Sequence, residues 1–315
     1  MKCVVTGAAG FIGSHLCKAL LDEGSEVVGI DRLSNYYSPK IKMMNIRELQ
    51  EDGLTFIHAD LATSDLTQIL EDADIVFHLA AQPGVRGSWG PSFRVYVKDN
   101  ILATQRLLEA MSASQTRKLV FASSSSIYGE SESYPTHEST PPRPISPYGV
   151  TKLCAENLCR VYSQSHGIKT IILRYFSIYG PKQRPDMAIY RFIDAVLRGK
   201  KIEVYGSGEQ ERDFTYISDA VQATLRAARI DRDFEIINIG RGRPVKLKHV
   251  IETITKISGR RAEVEYKEEQ RGDVKKTYAD ISKAREILGY EPQVDIDKGI
   301  ELQYVWQRSI SRRRA

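Results

Sequence analysis

The sequence predicts a doubly wound α/β sheet of parallel strands carrying a smaller, discontinuous α/β domain. Three observations carry this. Apolar strand-length runs alternate with helix-length segments in the first half, a glycine-rich turn joins the first run to the first helix, and the alternation weakens after Arg174. Strands and helices in alternation produce a parallel sheet covered on both faces.

The strand-like runs are Cys3–Thr6, Glu26–Asp31, Leu54–His58, Asp74–His78, Lys118–Ala122 and Lys169–Arg174. Between them, Phe11–Glu23, Phe93–Ser112 and Pro147–Ser165 have the length and patterning of helices. Beyond Arg174 come the irregular stretches Tyr179-Gly180-Pro181 and Gly206-Ser207-Gly208. Helical patterns then resume near Tyr190–Arg198, Ile217–Arg229, Leu247–Ser258 and the C-terminus. The expected division is a dinucleotide-binding domain of residues 1–175 and about 213–242, with a substrate domain of about 176–212 and 243–315. Ligands of such folds sit at the carboxyl edge of the sheet, where the second domain would close over them.

A chain of 315 residues, 42% hydrophobic and 27% charged, can bury a sizeable core without covalent staples. Its net charge of +5 is modest, and its bases are interleaved with acids. Arg308 and Arg312-Arg313-Arg314 concentrate positive charge at the end, read as a solvated tail. An anionic small molecule is therefore the expected partner, not nucleic acid. Cys3, Cys17, Cys154 and Cys159 form no CxxC pair and read as reduced thiols of a cytoplasmic protein. No apolar run reaches transmembrane length, and the strand at Lys2–Thr6 leaves no room for a signal peptide. The six histidines lack ligand spacing, so no metal site is expected.

Thr6-Gly7-Ala8-Ala9-Gly10-Phe11-Ile12-Gly13 lies between a strand and a helix. Glycines keep such a turn tight and let backbone N–H groups approach a pyrophosphate, while the helix N-terminus adds partial positive charge. Asp31 ends the next strand, placed to accept hydrogen bonds from an adenosine ribose. Its charge favours NAD, whereas Arg32 beside it could accommodate the extra phosphate of NADP. Asp60-Leu61 closes another strand at the same edge and could touch adenine.

Tyr148 and Lys152 in Pro147-Tyr148-Gly149-Val150-Thr151-Lys152 share one helical face. A phenol with a pKa of about 10 is a poor base at neutral pH. An adjacent ammonium and a cationic nicotinamide would favour the phenolate. Upstream, an apolar strand ends in Phe121-Ala122-Ser123-Ser124-Ser125-Ser126, where a hydroxyl could hold the oxygen being oxidised. Alone, a Tyr–Lys pair is an ordinary surface feature of a helix. In this company it reads as a redox site.

The glycine turn, serine strand end and YxxxK in this order resemble the extended short-chain dehydrogenase/reductase family over nearly the whole chain. The resembling branch is the nucleotide-sugar epimerases, with Rossmann-type sheets, and within it the UDP-glucuronate 4-epimerases. The resemblance implies a triad of Ser124, Tyr148 and Lys152, and a segment under the cofactor at His78-Leu79-Ala80-Ala81-Gln82. It further implies a structural role for Asn100, a place beside the nicotinamide for Tyr175, and a nucleotide clamp of Arg191, Arg212 and Arg271. Guanidinium groups suit the clamp because they grip phosphate through two bonds.

Ser125 and Ser126 stand where related dehydratases and decarboxylases carry acids, so dehydration and dedicated decarboxylation are disfavoured. Gly180-Pro181-Lys182-Gln183-Arg184-Pro185-Asp186-Met187-Ala188 and Gly84-Val85-Arg86-Gly87-Ser88-Trp89 resemble the glucuronate-epimerase versions of these loops. Arg184 would then grip the sugar carboxylate, with Ser177 and Ser125 beside it. A contact between Arg184 and Asp186 within the loop is the competing account. The expected activity is C4 epimerisation of UDP-glucuronate with NAD retained as a prosthetic group, in a homodimer joined through Phe93–Ser112 and Pro147–Ser165. UDP-glucose or UDP-N-acetylglucosamine epimerisation, keto-sugar reduction and a silent NAD-sensing scaffold remain open.

Overall fold

The computed structural model describes residues 1–312; Arg313 and Arg314 of the basic tail lie outside the described residues. Parallel pairing begins at once, with β1 (Lys2–Thr6) between β2 (Glu26–Asp31) and β4 (Ile75–His78). β3 (Thr55–His58), β5 (Lys118–Ser124), β6 (Lys169–Tyr175) and β10 (Phe234–Ile239) complete a sheet ordered β10-β6-β5-β4-β1-β2-β3. Because β1 has β2 on one side and β4 on the other, connections leave in opposite directions. A crevice opens there at the carboxyl edge.

Residues of β1 alternate between two apolar layers. Cys3 and Val5 pack with Leu16 and Leu20 of α1 (Phe11–Asp22) and Ala220 of α8 (Ile217–Ala227). Val4 packs with Leu107 and Met111 of α5 (Ala103–Ala113) and Ala155 and Cys159 of α6 (Pro147–His166). The strands are thus apolar on both faces, which is why they stood out as continuous runs.

Two expectations about helices change. α2 (Pro39–Glu51) went unpredicted because its inward face carries Lys42 and Asn45 beside Ile46 and Leu49, which breaks the apolar period. The single helix expected over Phe93–Ser112 is three pieces: α4 (Phe93–Tyr96), a π-helical stretch Val97–Leu102, and α5. The widened turn carries Asp99 and Asn100, both buried. α3 (Thr67–Leu70) is a single turn before β4.

After β6 the chain leaves the large sheet. β7 (Ser177–Tyr179), β9 (Glu211–Tyr216) and β11 (Pro244–Lys246) form a three-stranded sheet, and β8 (Ile202–Tyr205) pairs with β12 (Val264–Lys267). α7 (Ala188–Leu197), α9 (Leu247–Ser258) and α11 (Ile296–Arg312) pack against one another. α10 (Ser282–Leu288) returns to β10. No helix among the described residues is long and apolar enough to cross a membrane. All four cysteines are free thiols.

Candidate active site

The site lies over the carboxyl edge between β1 and β4. Gly7 has a φ of +74°, and a Cβ there would lie 2.8 Å from the Ala80 nitrogen; one on Gly13 would lie 2.1 Å from the Gly7 oxygen. Glycine thus lets β1 turn into α1 with the Leu79-Ala80 segment packed against the turn. α1 starts at Gly10 without a side-chain cap, and Gly10, Phe11, Ile12 and Gly13 line the cavity. The first-turn N–H groups and the positive end of the helix form a donor set that fits a pyrophosphate.

The Asp31 carboxylate is fixed by the Leu33 N–H at 2.7 Å and the Ala9 N–H at 3.2 Å, at the cavity wall. Its remaining lone pairs suit a ribose diol. Arg32 is already engaged: its guanidinium pairs with Asp99 and lies 3.5 Å from Asp60, which also takes Lys98 at 2.7 Å. Burial works against the Asp60 anion, yet Lys98, the Ala62 N–H and Arg32 together hold its carboxyl below the usual range. A ribose phosphate would have to compete with two carboxylates for Arg32. These residues fit NAD better than NADP.

His78 lies beneath this region with both ring nitrogens on hydroxyls, Nδ1 at 2.7 Å from Thr6 and Nε2 at 3.0 Å from Thr104. The Thr104 hydroxyl donates to the Asn100 oxygen, so it accepts from Nε2–H, and Thr6 donates to Nδ1. That pattern requires the neutral ring. Burial accordingly pushes His78 down to about 3. Leu79, Ala80 and Ala81 line the cavity, whereas Gln82 and Asn100 stand behind its wall. Asn100 accepts from the Gln82 N–H at 2.7 Å and donates to its oxygen at 3.1 Å and to the Thr151 hydroxyl at 2.9 Å. One amide side chain therefore braces the loop to α6, next to Tyr148.

α6 begins at Pro147 behind Ser146, whose hydroxyl accepts from the Gly149 N–H at 3.1 Å. A Cβ on Gly149 would lie 2.5 Å from the Ser126 oxygen. The missing side chain lets the helix start lie against the Ser124–Ser126 turn. Ser124, Ser125, Tyr148, Lys152 and Tyr175 consequently face one cavity of about 460 Å³. Tyr175 is anchored through its hydroxyl, 2.6 Å from Thr224, whose own proton goes to the Ala220 oxygen.

Burial pushes the Tyr148 phenol up, while the Ser124 hydroxyl and the Arg184 guanidinium pull it back down. Burial also depresses Lys152 to about 8, against the attraction of Cys159 and Glu156. The Cys159 thiol is itself pushed up by burial and stays neutral, so Glu156 is the charge that favours the ammonium. Lys152 Nζ sits 4.3 Å from the centre of the Phe121 ring. Arg184 is a cation that draws the phenol down, and Lys152 lines the same cavity.

A second cavity of about 320 Å³ shares Gly84, Val85, Ser177 and Arg212 with the first. Arg86 and Arg191 line it, centred 4.1 and 5.4 Å from the Tyr205 ring and paired with Asp273 and Glu203. Arg212 donates to the oxygens of Glu211 and Lys275. Arg271, contrary to expectation, does not line the cavity: its side chain is exposed, and Gly272, Asp273, Val274 and Thr277 of the same segment reach the wall. Arg184 lines the large cavity and is bonded to Asp186 through Nε at 3.0 Å and Nη2 at 3.2 Å. Sequence reasoning missed Tyr36, Tyr37, Lys42 and Asp99 in the walls. The Tyr36-Tyr37 pair in the loop after Asp31 was the available signal; Asp99 gave none.

A parallel dinucleotide sheet with a Ser–Tyr–Lys site at its crevice defines an NAD-using short-chain dehydrogenase-type enzyme. The family model for the NAD dependent epimerase/dehydratase family matches residues 3–240, and the chain belongs to that family. It is 45% identical to a Bacillus subtilis protein described as an uncharacterized UDP-glucose epimerase, covering 98% of this chain and 99% of that one. It is 40% identical to the UDP-glucuronate 4-epimerase of Thermodesulfobacterium geofontis, over 97% and 95% of the two chains. Among solved structures, UDP-glucuronic acid 4-epimerase from Bacillus cereus in complex with UDP-glucuronic acid and NAD is 44% identical. The TM-score is 0.95, over 98% of this chain and 100% of that one. The chain is an isomerase of the UDP-sugar 4-epimerase class, with NAD as cofactor.

Proposed function

We propose that this epimerase interconverts UDP-glucuronate and UDP-galacturonate. The observation that carries the reading is Arg184, a guanidinium in the wall of the cavity that Tyr148 also lines, where its charge favours the phenolate. A sugar presenting its 4-hydroxyl to Tyr148 would hold its carboxylate near Arg184, with Ser125 and Ser177 alongside. The similarity to UDP-glucuronate 4-epimerases supports this substrate.

Tyr148 takes the proton from the sugar 4-hydroxyl and later returns it, while Ser124 fixes the oxygen that changes order. Bound NAD supplies the hydride acceptor and donor at carbon 4. Lys152 would hold the nicotinamide ribose and keep a proton there, and the turn at Gly7, Gly10 and Gly13 with Asp31 would hold the rest of the dinucleotide. Arg86, Arg191 and Arg212 provide the cationic wall for the diphosphate. In this reading residues 1–175 and about 213–242 carry NAD and the remainder carries the nucleotide sugar. The enzyme works as a homodimer in a reducing, cytoplasmic setting.

Incubation with UDP-glucuronate, UDP-glucose and UDP-N-acetylglucosamine, without added cofactor, tests the reading. The expected product is UDP-galacturonate, and a higher kcat/KM on either neutral sugar overturns it. Arg184→Ala should lower kcat/KM for UDP-glucuronate by roughly 10–100-fold, the worth of a hydrogen bond to a charged group. A neutral hexose is the second reading. It is favoured by Asp186, which already occupies Arg184.

A further inference from the structure

Asp186 presents to Arg184 the group that a uronic acid would present. Two parallel bonds, Nε to Oδ1 and Nη2 to Oδ2, join them, and the Tyr36 hydroxyl donates to Oδ2 at 3.1 Å. Arg184 lines the large cavity, Asp186 the adjoining one, and Tyr36 both. The two side chains are 21% and 36% exposed, so the pair lies at the cavity rim and not in the core.

The backbone around the pair is pinned on both sides. His15 Nε2 donates to the Pro181 oxygen at 2.9 Å, and Lys182 Nζ meets Glu48 at 2.5 Å. Gln183 donates to the Ile178 oxygen at 3.1 Å and accepts from the Tyr190 N–H at 3.1 Å. Exchange of the arginine's partner therefore needs only side-chain rotation, with Tyr36 still available to Asp186.

We propose that Asp186 is a built-in stand-in for the sugar carboxylate: it keeps Arg184 paired until a uronate arrives, then yields it. The proposal rests on the reading of Arg184 given above. It makes Asp186 a specificity-determining residue that acts through Arg184. A uronate replaces one ion pair by another and gains only the difference. A neutral hexose leaves the Arg184–Asp186 pair intact and strands no guanidinium without a partner. Asp186 thus lowers affinity for the uronate and blunts discrimination against neutral sugars.

Asp186→Asn keeps an acceptor for Tyr36 and removes the charge. In the NAD-loaded full chain, calorimetric titration should show UDP-glucuronate binding about five-fold more tightly, equivalent to the roughly 1 kcal/mol of a partly exposed ion pair. UDP-glucose should bind no more tightly than before. In an Arg184→Ala background the same substitution should leave UDP-glucuronate affinity unchanged. Unaltered or weaker UDP-glucuronate binding in Asp186→Asn, or equal tightening without Arg184, overturns the exchange. Asp186→Ser, titrated in the same way, replaces Asp186→Asn if that variant fails to fold. Binding is read apart from turnover, so a parent enzyme that prefers UDP-glucose refutes the substrate reading while the exchange is still decided.

Discussion

Glu156 lies one turn beyond Lys152 on α6, and its charge connects that lysine to the sheet. Arg174 grips it through Nε at 3.0 Å and Nη2 at 2.8 Å, with the two side chains 4% and 3% exposed. Ser123, beside Ser124, donates to the same carboxylate. Arg174 continues to the Tyr128 hydroxyl, which donates to Asn238 on β10. Breaking a buried pair from one side leaves a charge without its counter-ion, so Glu156→Gln should cost about 3–5 kcal/mol in denaturant unfolding. The same change removes the carboxylate that favours the Lys152 ammonium. Lys152 then loses its proton at lower pH, and the alkaline limb of the pH–rate profile should move down. A limb that stays in place would mean that Glu156 only braces the fold. Tyr148 and Lys152 were legible from their spacing and company. Glu156 was not, because an acid on an amphipathic helix reads as a surface charge until the arginine beneath it is seen.

At the scale of elements, β4 and α1 each carry a histidine that the fold keeps neutral. Burial lowers His78 to about 3 and His15 to about 4, against an ordinary value of 6.5. Between pH 6.5 and 4 the unfolded chain binds protons on both rings and the folded chain does not. Stability should therefore fall as pH drops through that window. His15→Gln should retain more of its neutral-pH melting temperature at pH 5 than the parent does; an equal loss in both would remove His15 from the account. The strands β1 to β6 were readable to within a residue or two, since a sheet covered on both sides spells continuous apolar runs. β7, β8, β11 and β12 are three or four residues long, too short to show a period. The π-helical turn was hidden because the side-chain partner of Asn100 within it is the Gln82 loop, distant in sequence.

Across the whole molecule, the helices chosen from sequence as a dimer face do leave apolar side chains outside. Val97 and Leu102 are 38% and 44% exposed, and Val150 and Val161 on α6 are 48% and 54% exposed. α5 packs on α6, so these groups lie along one helical layer. Sedimentation should give the parent twice the chain mass, and Val161→Asp should yield the monomer. A monomeric parent, or a variant dimer as tight as the parent's, would remove this face from consideration.

The place of β10 has a consequence in time. Its strand is the outer neighbour of β6, yet it follows the whole β7–β9 excursion and α8. During synthesis at roughly 5–20 residues per second, β6 waits several seconds with an open hydrogen-bonding edge while that excursion is made. The edge is the apolar run Lys169–Tyr175, buried at nearly every position once the sheet is complete. The nascent chain therefore passes through an interval in which its central layer is nearly whole and still adhesive. Covering that edge during the interval, by a chaperone at the ribosome, is where yield of the native enzyme would be gained.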